Sequence, residues 1–240
     1  MARMAPAPIS RRAALLRALK LIAALLVGLL VLPYLLTPLY LLGRPISTLM
    51  LTRWATGARV ERLWVPLAAM AASLPASVIA AEDARFCRHR GIDLAQIREA
   101  IEDADTLGEV RGASTLSQQT AKNLFLWPGR SFLRKLLEAP LALWLDLVLG
   151  KRRLLEIYLN IAEWGPNGEF GAEAAARRAF GKGARNVNPR EAALLAAALP
   201  NPSRRRPGRP GPALRRLAGI YERRSAAPQL AACLMPRARQ

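Results

Sequence analysis

The 240-residue chain carries 36 Lys and Arg against 17 Asp and Glu, a formal charge of +19, while 52% of it is hydrophobic. That apolar content excludes a disordered polybasic chain, and a tidy cytosolic enzyme would rarely sit so far from neutrality. Two cysteines (Cys87, Cys233) and one histidine exclude a disulfide-dense scaffold and a zinc cage.

The charge is uneven. Residues 1–42 hold five bases (Arg3, Arg11, Arg12, Arg17, Lys20) and no acid. Residues 43–199 hold 21 bases and 16 acids, and residues 200–240 hold ten arginines and only Glu222. The excess lies at the two ends, which argues against a nucleic-acid-binding face in the middle. From Leu21 to Leu42 run 22 uncharged residues, enough helix to cross a bilayer. The bases before them place the N-terminus in the cytoplasm. The run is long for a cleaved signal peptide, and no A-x-A site follows closely. The expected organisation is a cytoplasmic flank over 1–20, a single transmembrane helix over 21–42, a domain over 43–205 outside the cytoplasm, and an Arg/Pro-rich tail over 206–240. Pro33 and Pro38 could kink or shorten the spanning helix.

Residues 44–76 read either as an amphipathic segment at the bilayer surface or as a first packed helix. From residue 77 helix signals dominate. Asp93 with Gln96 suggests a capping box, and Thr115 with Gln118 suggests a second one opening a helix to about Leu124. Residues 131–149 and 151–163 carry apolar residues at helical spacing, and Asn188 before Pro189 and Glu191 opens a helix that Pro200 stops. A further short helix is expected around Leu214 to Arg224. No alternating strand run appears, so the domain is mainly α.

Three clusters could carry chemistry. If 77–86 is helical, Val78, Glu82 and Phe86 share a stripe, and a carboxylate in an apolar stripe has its pKa raised toward that of a general base. A salt bridge from Glu82 to Arg85 or Arg88 is the bland alternative. His89, alone, reads as structural. Gly112, Ser114, Thr115, Ser117, Gln118, Gln119, Lys122 and Asn123 offer a helix start and a lysine suited to a phosphate, or simply an N-cap with a surface lysine. Arg134, Lys135 and Glu138 either pair among themselves or hold an anionic leaving group.

In this order and spacing the clusters resemble the glycosyltransferase domain of the peptidoglycan polymerases, family 51 of the glycosyltransferases. Glu82-Asp83…Phe86…His89…Gly91, Gly112…Ser114-Thr115…Gln118-Gln119…Lys122-Asn123, Arg134-Lys135…Glu138 and Leu155-Glu156…Tyr158-Leu159-Asn160 carry the resemblance. It continues through Glu163-Trp164-Gly165 and Leu199-Pro200-Asn201-Pro202, covering about residues 65–205. The chain leaves no room for a transpeptidase module, so it is similar to the monofunctional biosynthetic transglycosylases of Gram-negative bacteria.

The resemblance implies a lysozyme-like α-helical fold, a bacterial inner-membrane enzyme with a periplasmic catalytic domain, and polymerisation of lipid II into β-1,4 glycan strands with release of undecaprenyl pyrophosphate. It implies that Glu82 is the base and that Lys122, Arg134 and Lys135, held by Glu138, meet the pyrophosphate. Arg130 is a further candidate, and Asp83, Ser114, Thr115, Gln118, Gln119 and Asn123 are expected at the substrate. No cofactor is required, although Mg or Mn could assist at the diphosphate. The expected partners are lipid II, the lipid-linked glycan strand, membrane lipid and other cell-wall synthesis proteins, not nucleic acid. The segment 103–111 is expected to act as a flap. The rivals are a lytic hydrolase of the same fold class and a non-enzymatic basic membrane protein.

Overall fold

A computed structural model describes residues 11–102, 114–129 and 131–235. Arg130, Gly112, the expected flap 103–111 and the first ten residues of the basic flank lie outside the described residues.

The chain opens with α1 (Arg11–Leu36), which keeps Pro33 within it and passes into a 3-10 turn over Thr37–Leu41. The stretch long and apolar enough to cross a membrane is Ala14–Leu41, which contains the uncharged run expected from Leu21 in all but its last residue, Leu42. The leucines, isoleucine and valines between residues 15 and 32 are exposed, as a lipid-facing surface would require, whereas Pro33 and Thr37 are buried. The C-terminal end of the span is docked. The Trp144 indole N–H donates to Tyr34 O at 3.2 Å, and the Arg153 guanidinium donates to the carbonyls of Tyr40 (2.8 Å) and Gly43.

Helix α2 (Thr48–Ala55) starts at an N-cap in which Ser47 accepts from Met50 N–H. Met50 is buried while Leu51 and Trp54 are exposed, so both readings of this segment describe part of it. A two-residue strand β1 (Glu61–Arg62) pairs in parallel with β2 (Glu169–Phe170); the remaining regular structure among the described residues is helical. Thus α3 (Ser73–Glu82), α4 (Leu94–Glu102), α5 (Leu116–Phe125) and α6 (Phe132–Ile161) precede β2, and α7 (Ala172–Phe180), α8 (Pro189–Ala198) and α9 (Pro212–Ser225) follow it. The mainly α fold class is as expected.

The core is organised by α6. Gly150 (φ 67, ψ 166) breaks it into two arms, as the change of pattern there predicts. In the second arm Leu154, Leu155, Ile157, Leu159 and Ile161 are all buried, so this arm is apolar nearly all round and sits at the centre. Helix α5 packs on α6, and α3 packs on α8 and α9. The first arm instead exposes Phe132, Leu133, Leu136, Leu143 and Leu147.

Residues beyond 206, set apart in the sequence by composition, are tied to the body. Leu214 and Ala218 of α9 bury against Ala193, Leu194 and Ala197 of α8. A 3-10 segment over Pro228–Leu234 packs on the core, and Cys233 within it forms a disulfide with Cys87.

Candidate active site

The helix carrying Glu82 ends at Glu82 rather than running to residue 86, so the supposed stripe is not a continuous helical face. Phe86 is nonetheless fully buried, reached through a turn in which Phe86 N–H donates to Asp83 O at 2.9 Å. The turn exists because Asp83 has other commitments. Its buried carboxylate accepts from His89 Nε2 (3.0 Å to each oxygen) and from Leu116 N–H (2.9 Å). The carboxylate requires the proton on Nε2, so His89 is structural, as its isolation suggested. Asp83 therefore clamps the end of α3 to the start of α5, with both of its oxygens engaged.

The start of α5 is built by a reciprocal capping box: Thr115 Oγ1 accepts from Gln118 N–H (3.2 Å) and Gln118 Oε1 from Thr115 N–H (3.1 Å). Thr115 Oγ1 also donates to Gly91 O at 2.6 Å. Gly91 has φ +83, and a Cβ there would lie 2.7 Å from Ala142 O, so only glycine lets this turn touch α6. Thr115 and Gln118 are buried, and the Asn123 carbonyl accepts from Thr48 Oγ1 at 3.2 Å. These three positions hold elements together.

One turn into α5, Gln119 meets Glu82. Gln119 Nε2 donates to Glu82 Oε2 at 2.8 Å, while Tyr158 OH from α6 donates to Gln119 Oε1 at 3.0 Å. Tyr158 thus fixes which way the Gln119 amide faces. The result is a carboxylate with one oxygen held and the other, Oε1, buried without a protein partner. Burial raises the Glu82 pKa above its ordinary 4.5, opposed by the Gln119 hydrogen bond and the charges of Lys122 and Arg205. Neither Arg85 nor Arg88 forms the bland salt bridge; Arg85 pairs with Glu99 (2.5 Å) and Asp93 (3.7 Å).

A cationic group stands beside this carboxylate. On the first turns of α6 the buried Glu138 lies 3.0 Å from Arg134 Nη1, an ion contact whose angle falls short of a hydrogen bond, and 2.9 Å from Lys135 Nζ. Lys135 also donates to Ser114 Oγ at 2.7 Å, so the pairing joins α6 to the entrance of α5. Lys122 and Arg134 line a cavity of about 370 Å³ that opens past Leu49, Leu126 and Trp127. Arg134 Nε is buried there with no acceptor. Burial lowers the Lys122 pKa below 10.5, as does Arg134, whereas Glu138 and Glu82 oppose the shift. Desolvated donors with no protein acceptor, facing one cavity, are what a multiply charged oxyanion needs.

This constellation, a half-free buried carboxylate next to Lys122 and the Arg134–Lys135–Glu138 group, sits inside a longer match. The family model described as Transglycosylase matches residues 48–225, most of the chain. The chain belongs to the transglycosylase family. It is therefore a glycosyltransferase, and the exposed apolar helix before the match is consistent with membrane anchoring. Three relatives, each named biosynthetic peptidoglycan transglycosylase, illustrate the likeness. The Nitrobacter winogradskyi protein is 58% identical over 90% of this chain and 96% of its own length. One from Rhodopseudomonas palustris is 56% identical over 90% and 92%, and one from Agrobacterium fabrum 51% over 87% and 92%.

Of the sites expected from sequence, Lys122, Asn123 and Arg134 line the cavity, and Glu82 is hydrogen-bonded to Gln119. Ser114, Lys135 and Glu138 are linked to one another, with Arg134 on Glu138, and Arg130 lies outside the described residues. Sequence reasoning missed Tyr158, which reads as one more apolar core position, and Arg205 and Tyr221, whose electrostatic contact with Glu82 crosses more than 120 residues.

Proposed function

We propose that this chain polymerises lipid II into β-1,4-linked glycan strands by inverting displacement, releasing undecaprenyl pyrophosphate. The observation that carries the reading is Glu82: a buried carboxylate of raised basicity, oriented by Gln119, with Oε1 free of any protein partner and within electrostatic reach of Lys122, which lines a cavity with Arg134. Glu82 takes the proton from the acceptor 4-hydroxyl as that oxygen bonds to C1 of the donor sugar. The C1–O bond to pyrophosphate breaks on the opposite face, and Lys122, Arg134 and Lys135 receive the departing charge. Glu138 keeps two of those cations in place. A Mg or Mn ion assisting the diphosphate would arrive on the diphosphate's own oxygens, since the described residues hold no cluster of three potential ligands.

Glycosyl transfer without peptide cross-linking is the reading we favour, because the 240 residues contain no Ser-x-x-Lys nucleophile motif. Location follows the same chemistry. Lipid-linked donor and acceptor place the enzyme on the bacterial inner membrane, with the basic flank cytoplasmic and the catalytic domain periplasmic. The Cys87–Cys233 bond supports an oxidising compartment. The exposed apolar residues of α2 and the first arm of α6 fit contact with the bilayer, and other cell-wall synthesis proteins are the remaining partners we propose. Purified full-length protein incubated with labelled lipid II should yield polymer, and Glu82→Gln should abolish it while leaving the fold intact. Near-normal strand synthesis by that variant, or digestion of isolated sacculi by the wild type, would overturn the reading.

A further inference from the structure

A second cavity, about 490 Å³, lies between α7, α8 and the loop that follows Pro200. Its lining includes Trp164, Arg178, Arg205, Arg206 and Arg209, and no residue from α1, α2 or the segment between them. Arg178 is committed to Glu169, and Arg205 donates to Ala197 O at 2.6 Å. Arg206 and Arg209 are exposed, and among the described residues neither pairs with an acid. The Trp164 indole N–H is buried with no protein acceptor.

The loop is a built feature. Arg205 N–H donates to Asn201 O (2.9 Å) and Arg209 N–H to Arg206 O (3.1 Å). A Cβ on Gly208 would fall 2.3 Å from Ala179 O, so the loop is pressed against the end of α7. Pro202, Pro207 and Pro210 stiffen it further. Such a frame fixes where the guanidinium stems begin, so binding costs side-chain freedom but little backbone ordering. Arg205 links this cavity to the catalytic cleft, because its charge acts on Glu82.

The charges of the substrate decide what the cavity takes. The pyrophosphate is met at the Lys122–Arg134 cavity, and the other anions of a peptidoglycan precursor are the carboxylates of its peptide. Planar guanidinium forks match carboxylates. We propose that this cavity is a subsite for the carboxylates of the acidic peptide borne by the sugar substrate, with Arg206 and Arg209 as the recognising side chains. It rests on the lipid II reading above and adds a specificity determinant to it.

The test compares lipid II with an analogue whose peptide carboxylates are amidated, both assayed in neutral detergent micelles. Wild type should show a KM about five- to tenfold lower for the acidic substrate, the scale of two partly exposed ion pairs. Arg206→Glu/Arg209→Glu should bring the two KM values together, and the double Lys variant should restore part of the gap. An unchanged KM ratio in the Glu variant, or equal KM values in wild type, would overturn the subsite. So would a defect seen only when anionic phospholipid is added, which would assign the loop to the membrane. If wild type makes no polymer from either substrate, the lipid II reading fails instead.

Discussion

At the scale of residues, the proposed mechanism makes activity depend on two opposed shifts, with Glu82 as base and Lys122 as the pyrophosphate contact. Glu82 must be ionised to act as base, and burial holds its pKa above 4.5, so the rate should rise with pH through that raised value. Lys122 must be protonated to meet pyrophosphate, and its pKa is lowered from 10.5, so the rate should fall as pH climbs through it. A kcat profile against pH should therefore be a bell narrower than the interval between those two ordinary values. Tyr158 is a positioning residue: it touches Gln119, not the substrate. Tyr158→Phe frees the Gln119 amide to turn and weakens its bond to Glu82. We expect kcat to fall about tenfold, the scale of one lost hydrogen bond to a charged network. The acidic limb of the profile should also move to higher pH, since that bond lowers the Glu82 pKa. A loss of stability with an unmoved limb would reduce Tyr158 to packing. Glu82, Lys122, Lys135 and Glu138 were legible in sequence because their spacing matched a known pattern. The division of labour among their neighbours was not. Asp83, Thr115 and Gln118 look like binding residues in a motif, yet Asp83 ties α3 to α5, Thr115 ties α5 to Gly91, and Gln118 closes the cap of α5.

At the scale of elements, local chemistry was a good guide to helix starts. Thr115/Gln118 and Asn188/Glu191 form reciprocal boxes because both partners lie within four residues. Asp93 accepts from Gln96 N–H at 2.9 Å in the same way. Helix ends were less legible: α3 stops at Glu82 because Asp83 is recruited by His89 and by Leu116, 33 residues away. Gly150 shows a local signal with a structural purpose. Its backbone lies where non-glycine residues are strained, while a Cβ there would meet nothing within 4 Å. Gly150→Ala should therefore cost about 1–3 kcal/mol through backbone strain alone. The full-length protein should melt several degrees lower, and an unchanged melting temperature would mean that α6 can straighten at no cost.

At the scale of the whole molecule, the C-terminal region is joined to the catalytic centre through Cys87, four residues after Asp83. The bond closes a loop with a sequence separation of 146. Cys87→Ser/Cys233→Ser, or a reducing agent on the wild type, should lower stability by about 2–5 kcal/mol in denaturant titration of the detergent-solubilised protein. Equal stability with and without reductant would show that α8–α9 packing alone retains this region. Docking of the anchor has a similar logic. Arg153 donates to carbonyls at the end of the apolar span and lies over Trp64, so the domain is held to the end of that helix.

The opening figure of +19 now resolves into parts. Composition, period and short spacings were enough for the apolar N-terminal helix, the helical class and the family. Only long-range folding decides that Tyr158 orients Gln119, that Glu82 keeps one oxygen free, that Cys87 pairs with Cys233, and that the arginine-rich end packs into the body with Arg205 acting on Glu82. Each of those depends on contacts between residues dozens to more than a hundred positions apart, and only chain closure brings such atoms within 3 or 4 Å.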